Sequence, residues 1–143
     1  MQTASIIIIV VMIVGATVFA LLRGSYAITP SLSDGAFSVS GPQDISYTVK
    51  FEDVAALQLL GEDFVKGEQI SGSEKYGYAV GEYQNAAFGT YTLLTMTRLN
   101  QYIAVTSKDG RTLVFNNADN QTTVNFYNAL KEHLVNLGYS FES

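Results

Sequence analysis

Residues 88–116 read FGTYTLLTMTRLNQYIAVTSKDGRTLVFN, and this stretch decides the fold class. Phe88–Arg98 and Tyr102–Ser107 are rich in β-branched and aromatic residues, and a short Leu99-Asn100-Gln101 segment separates them. Lys108-Asp109-Gly110 then predicts a hairpin, because Asp-Gly tolerates the positive φ of a type I′ turn. Arg111–Asn116 is the expected return strand. The stretch therefore predicts three consecutive strands of a mainly β domain.

The preceding sequence predicts four more strands, which brings the expected total to seven. Alternating apolar and polar residues, or short apolar runs, indicate them. Residues 66–74 (KGEQISGSE) are expected to form a loop. The four predicted strands are Ala36–Ser40, Ile45–Phe51, Val54–Leu60 and Lys75–Tyr83.

A helix is predicted from about residue 120 to 137, where the apolar period changes to three and four. The predicted apolar face consists of Thr123, Tyr127, Leu130, Leu134 and Leu137. Asp119 or Asn120 can cap the N-terminus by accepting free backbone N–H bonds. Gly138 is the expected residue just beyond the end of the helix, and residues 139–143 form a tail.

The N-terminus predicts a membrane anchor. Residues 4–22 (ASIIIIVVMIVGATVFALL) contain no charged side chain. As a helix they span about 28 Å, which is close to the hydrocarbon thickness of a bilayer. The alternative is a signal peptide cleaved near Ser25-Tyr26-Ala27. The absence of a basic residue in positions 1–5 argues against cleavage.

We expect residues 1–22 to be a tail and transmembrane helix, 23–35 a linker, and 36–138 the folded domain. Gly, Ser, Pro and Asp dominate the linker and indicate a turn-rich connection. Arg23 is the first basic side chain, and the next is Lys50. By the positive-inside rule this places the domain in the cytoplasm.

The charge of the domain opposes binding to polyanions. The protein has 13 acidic and 8 basic residues and a net charge of −5. Such a domain is repelled by nucleic-acid backbones and by anionic lipid surfaces. Because of this repulsion we expect no nucleic-acid partner. The chain also has no cysteine, which excludes disulfides and thiolate chemistry.

Three stretches resemble bacterial pleckstrin-homology (PH)-like domains of membrane-anchored proteins. They are YGYAVGEYQNAAFGTYTL at 76–93, QYIAVTSKDGRTLVFNNAD at 101–119 and FYNALKEHL at 126–134. The resemblance covers about residues 35–138. It implies a seven-stranded antiparallel barrel closed at one end by the C-terminal helix. Phosphoinositide-binding members carry basic residues between the first two strands. Residues 39–46 here have none and include Asp44, so phosphoinositide binding is not expected.

Candidate functional side chains all have simpler structural interpretations. His133 is expected to be a half-exposed helix residue, because no orienting partner or nucleophile is evident. Glu52-Asp53 and Glu62-Asp63 lack the alternating spacing of calcium ligands and suit solvated turns. Gly77 and Gly81 lie in a strand and indicate a bend or bulge. Asn120-Gln121-Thr122 matches a glycosylation sequon, but a helix cap explains it. The nine tyrosines are interpreted mainly as packing residues.

These observations predict no catalytic, cofactor or metal site, and they do not identify the partner-binding residues. We expect a non-enzymatic, single-pass membrane module that binds a protein or peptide, by strand addition at a sheet edge beside the helix. The alternatives are a lipid or membrane-surface sensor, an exported domain acting at the cell envelope, and an enzyme of unfamiliar type.

The predicted orientation can be tested with Ser143→Cys, the only cysteine in such a variant. A membrane-impermeant maleimide should label this residue only after cell lysis, because the domain is expected in the cytoplasm. Labelling of intact cells contradicts the orientation and moves the search for partners to the envelope.

Overall fold

Ten strands and one α-helix form the described chain, which comprises residues 27–143 of a computed structural model. The predicted span at 4–22 lies outside these residues. None of the helices they contain is long and apolar enough to cross a membrane. The strands are β1 Thr29–Leu32, β2 Ala36–Ser40, β3 Ser46–Lys50, β4 Val54–Leu60, β5 Glu68–Gln69, β6 Ser73–Lys75, β7 Tyr78–Asn85, β8 Gly89–Met96, β9 Tyr102–Ser107 and β10 Thr112–Phe115; helix α1 is Asn120–Asn136.

The strands form two separate sheets. The smaller is antiparallel with the order β1-β2-β3, and the larger has the order β4-β9-β10-β8-β7-β5, with β6 also pairing with β7. A mainly β domain with a C-terminal helix is confirmed. The expected closed antiparallel barrel is not found in the described chain, because no strand pairing joins the sheets. One pair, β8 with β10, is also parallel.

Strand β10 enters the sheet between β8 and β9, although β8 and β9 are consecutive in the chain. It pairs antiparallel with β9 and parallel with β8. Sequential strands are usually neighbours, so the sequence favoured a simple antiparallel order. The fully buried Asn116 follows β10 and extends the parallel pairing. Its amide accepts from Met96 N at 2.7 Å and donates to Met96 O at 3.0 Å.

Three short strands, β1, β5 and β6, were not predicted from the sequence. β1 lies in the expected linker, and its sequence contains Pro30, which an edge strand tolerates because it has no N–H to donate. β5 lies within the expected loop at 66–74, and β6 begins in it and ends one residue beyond it. These segments are short and polar, and their strand conformation depends on pairing with β2 and β7 rather than on local periodicity.

The larger sheet is apolar on both faces. Alternate residues of its central strands point to opposite sides, so Leu94 and Phe115 face one cluster while Leu93 and Val114 face another. The first cluster, here the main core, is covered by the smaller sheet and by α1. Phe37 of the smaller sheet packs 5.7 Å from Phe115, measured between ring centroids.

The opposite face is covered by residues 61–67, here called the strap. The strap links β4 and β5 at opposite edges of the sheet, about 24 Å apart at five strand spacings. Phe64 packs on the rings of Tyr102 at 4.8 Å and Tyr91 at 6.2 Å. The Tyr91 hydroxyl donates to Lys66 O at 2.6 Å. Aromatic packing and a backbone hydrogen bond thus hold the strap in place.

Side-chain contacts also hold the C-terminal end of the strap, at residues 65 and 66. The carboxylate of Glu74 accepts from the Tyr83 hydroxyl at 2.5 Å and lies 2.7 Å from Lys66 Nζ. Hydrogen bonds from Lys66 and then Tyr83 lower the pKa of Glu74 below its ordinary value. Asn85 Nδ2 donates to Val65 O at 2.9 Å. The carboxylate form of Glu74 therefore stabilises the strap in its position on the sheet. Protonation of Glu74 at low pH removes this stabilisation.

Helix α1 begins as the sequence predicts. Asp119 is the cap, since its side chain accepts from Thr122 N at 2.7 Å and Thr122 Oγ1 accepts from Asp119 N at 3.1 Å. Gly138 has φ +83° just after the helix, as expected. Leu130 and Leu134 are fully buried, whereas Leu137 is half exposed. The predicted apolar face therefore ends one turn earlier than expected.

The β9–β10 hairpin is present, but its turn is not type I′. Gly110 N donates to Ser107 O at 2.9 Å, and Gly110 has φ +92°. Asp109 is not among the described residues with positive φ, which type I′ requires. A three-residue loop with glycine at the left-handed position is the form seen here.

Asn116→Ala tests the side-chain extension of the parallel pair. It leaves the N–H and C=O of Met96 buried without their partner, so the free energy of unfolding should fall by about 2–4 kcal/mol. Chemical denaturation of the full chain in detergent, followed by tyrosine fluorescence, measures this. Asn128→Ala, at an exposed helix position, is the control. Equal effects of the two substitutions would contradict the assigned role.

Candidate functional site

An open cleft of about 1000 Å³ is lined by residues of both sheets. This volume is at the upper end of the range for ligand sites, which is about 300–1000 Å³. One wall is β3 with the turn after it, the floor is β7 and β8, and the other wall is the β9–β10 hairpin. The lining comprises residues 47–50, Asp53, Glu82, 90–92, 107–109 and 111–113.

Strand β3 presents a free edge to this cleft. Within residues 27–143 it pairs only with β2. Opposite it, β10 pairs with residues 92–94 of β8, so residues 89–91 have no neighbouring strand on that side in the described chain. Unpaired backbone N–H and C=O groups therefore lie on two sides of one groove. Such an edge is a template for an incoming strand.

The floor carries polar groups on the face that elsewhere forms the main core. Glu82 and Thr92 are paired in register two residues beyond Val80 and Leu94. Thr92 Oγ1 donates to Glu82 Oε1 at 2.9 Å. Burial, and then the charge of Glu82, raise the pKa of the Tyr47 hydroxyl. Tyr47 and Glu82 both line the cleft, where their polar atoms can orient a ligand.

Three of the seven basic residues after Arg23 converge on the rim of the cleft: Lys50, Lys108 and Arg111. Lys108 N donates to Asp53 O at 2.8 Å, which holds the hairpin loop against the turn after β3. Arg111 Nε lies 3.5 Å from Asp109 Oδ2. This pair is exposed and contributes little to stability.

Carboxylates balance this basic rim. Asp53, Glu82 and Asp109 line the same cleft, so its formal charge is close to zero. No ion pair within the described range includes Lys50 or Lys108. The sequence did not indicate this grouping, because Lys50 and Lys108 are 58 positions apart and no local motif joins them. The cleft suits a ligand that presents both charges or a polar backbone.

Of the candidate residues from the sequence, Asp53, Tyr47 and Tyr91 line the cleft, and the others lie elsewhere. His133 is half-buried on α1, as expected, with its ring 5.1 Å from Phe51 in an edge-on arrangement. Its Nε2 is buried and has no hydrogen-bond partner within residues 27–143. Glu52-Asp53 and Glu62-Asp63 are exposed, which confirms solvated turns. Among the described residues no three potential metal ligands cluster.

The remaining interpretations from sequence can also be compared with the structure. Gly77 was expected in a strand but lies in the turn between β6 and β7, with φ +81°. Gly81 has φ +144°, and a Cβ there would lie 2.1 Å from Ser71 O, so this glycine permits a close backbone approach. Asn120 Oδ1 accepts from Asn100 N at 3.0 Å and Gln101 N at 3.2 Å. This side chain orders the β8–β9 connection, while Asp119 caps the helix. Packing is confirmed for three tyrosines, all buried: Tyr78, Tyr83 and Tyr91.

Comparison with protein-family models, with curated proteins and with solved structures finds no match to the chain. The functional inference therefore depends on the chemistry of the site itself.

The electrostatic influence of Glu82 can be tested by titration of Tyr47. Glu82→Gln removes the charge that helps to keep the Tyr47 hydroxyl protonated, so the pKa of Tyr47 should fall toward 10.0. It should remain raised, because burial is the larger cause. NMR of ring-labelled tyrosine in the full chain measures the change. Glu68→Gln, at an exposed strand position, is the control. An unchanged pKa of Tyr47 in Glu82→Gln would contradict the electrostatic influence of Glu82.

Proposed function

We propose that this protein is a single-pass, membrane-anchored, non-enzymatic interaction module that binds an extended segment of a protein partner. The observation that carries the proposal is the edge of β3 along the cleft, which pairs with no strand in the described part of the chain. Strand addition of this kind obtains affinity from main-chain hydrogen bonds and specificity from side-chain pockets. The five residues of β3 offer an edge about 17 Å long.

The β3 edge supports this function better than the edge beside the helix. That second edge is β4, where residues of the C-terminal tail already pair. The β3 groove adds an aromatic hydroxyl, a carboxylate and a basic rim to its backbone groups. These groups give an incoming strand side-chain contacts as well as backbone partners.

Anchoring through residues 4–22 completes the proposed function. A tether raises the effective concentration of the domain near partners in the same membrane. The proposed location of the domain is the cytoplasmic side. The proposed family is that of the bacterial PH-like domains, which the sequence stretches quoted above resemble. The mainly β fold ending in a helix is compatible with this proposal.

A second candidate is a sensor of anionic membrane surfaces. The convergence of Lys50, Lys108 and Arg111 favours it, since clustered cations attract such surfaces. The carboxylates of Asp53 and Glu82 in the same cleft oppose it.

Photo-crosslinking in cells distinguishes these candidates. A benzoylphenylalanine replaces Thr48 on the β3 edge, and in a matched control it replaces Ser31 on the β1 edge of the same sheet. We expect Thr48→benzoylphenylalanine to yield a discrete protein adduct that maps to one short partner segment, and the Ser31 control to yield none. A lipid adduct at position 48 would support the sensor. Identical adducts at both positions, or none, would contradict strand addition at β3.

A further inference from the structure

The tail after helix α1 is bound to the edge of β4 in the way a peptide ligand is bound. Gly138 turns the chain, and Tyr139 N donates to Leu134 O at 3.1 Å. Glu142 N then donates to Ala55 O at 2.9 Å, and Leu57 N donates to Glu142 O at 2.7 Å. Glu142 thereby forms a parallel bridge with Ala56.

One side chain anchors this tail. Phe141 is half-buried against the main core, whereas its neighbours Ser140, Glu142 and Ser143 are exposed. The contact thus consists of two backbone hydrogen bonds and one aromatic ring. Backbone pairing together with a pocket for an alternate side chain is the general form of recognition by strand addition.

We propose that the β4 edge is a second peptide-binding site, selective for an extended parallel segment with an aromatic residue one position before the pairing residue. Residues 139–143 occupy it in cis. The ligand chemistry is that of the observed occupant: an aromatic ring in the position of Phe141 and backbone groups in the position of Glu142. This site is separate from the β3 cleft, so either can fail without the other.

The tail uses only part of the edge. Its pairing ends at Leu57, and residues 58–60 have no partner strand on that side within the described chain. A parallel segment that continues beyond the pairing residue runs toward Leu60. Leu59, 37% exposed, then gains a neighbour that the tail does not provide. A segment that also pairs with residues 58–60 therefore binds this edge more extensively than residues 139–143 do and displaces them.

The probe is a fluorescent peptide, Gly-Tyr-Ser-Phe-Glu-Ser-Val-Thr-Val, which repeats residues 138–143 and adds three strand-forming residues. Glu142→Pro in the full chain removes the N–H that binds Ala55 O and releases the tail. Ser143→Pro is the matched control, because the N–H of Ser143 donates to no backbone carbonyl within residues 27–143. The proteins are held in zwitterionic nanodiscs, and binding is followed by fluorescence anisotropy.

We expect Glu142→Pro to bind this peptide at least about tenfold more tightly than the wild type and the Ser143→Pro control, because the competing segment has left the site. Replacing the phenylalanine of the peptide by alanine should abolish the gain. Ala56→Cys with Glu142→Cys, oxidised to a disulfide across the bridge, should prevent binding. The two strands lie about 4.8 Å apart, within the range that a disulfide spans.

Amide exchange at Leu57 shows whether the tail has been released. Faster exchange in Glu142→Pro without tighter peptide binding overturns the proposal. Unchanged protection at Leu57 also overturns it, because the tail would then not be held by this pairing. Tight binding that persists in the disulfide variant places the peptide elsewhere on the protein and has the same consequence.

Discussion

The larger sheet has apolar side chains on both faces, and each face needs a cover that excludes water. Strands β8, β9 and β10 are continuous apolar or threonine-containing runs, as expected for strands buried on two sides. The smaller sheet and α1 cover one face, and the strap covers the other. Fully burying a leucine such as Leu130 or Leu134 contributes about 1.5–3 kcal/mol, so the helix is held mainly by this packing.

The arrangement of these covers decides which strand edges remain available. β5 and β6 pair with β7, and the tail pairs with β4 at Ala55–Leu57. Within residues 27–143, β3 keeps a free edge, because no strand of the larger sheet pairs with it. A closed barrel would have no such edge. The open seam that makes the expected barrel incorrect is therefore also the feature that supports a binding function.

The distribution of charge in the folded domain also differs from what the composition of the sequence indicates. The acidic balance of the sequence opposes polyanionic partners as a whole, yet Lys50, Lys108 and Arg111 meet at one rim. The backbone contact between Lys108 and Asp53 places them there. Because Asp53, Glu82 and Asp109 accompany these cations, the cleft presents both charges rather than a basic patch. This combination favours a peptide over a phosphate-rich surface.

Several elements of the fold could be predicted from the sequence, because the interactions that form them are local. The alternation in Ser46–Lys50, the capping side chain of Asp119 and the glycine after α1 act within a few residues, so their patterns predicted the observed elements. The insertion of β10 beside β8, the course of the strap, and the bridge between Ala56 and Glu142 join residues 21 to 86 positions apart. Such contacts form because separate apolar faces and unpaired backbone groups satisfy one another in three dimensions. No local pattern encodes that match, and for this reason the tertiary structure alone decided which strand edges of the described chain have no partner strand.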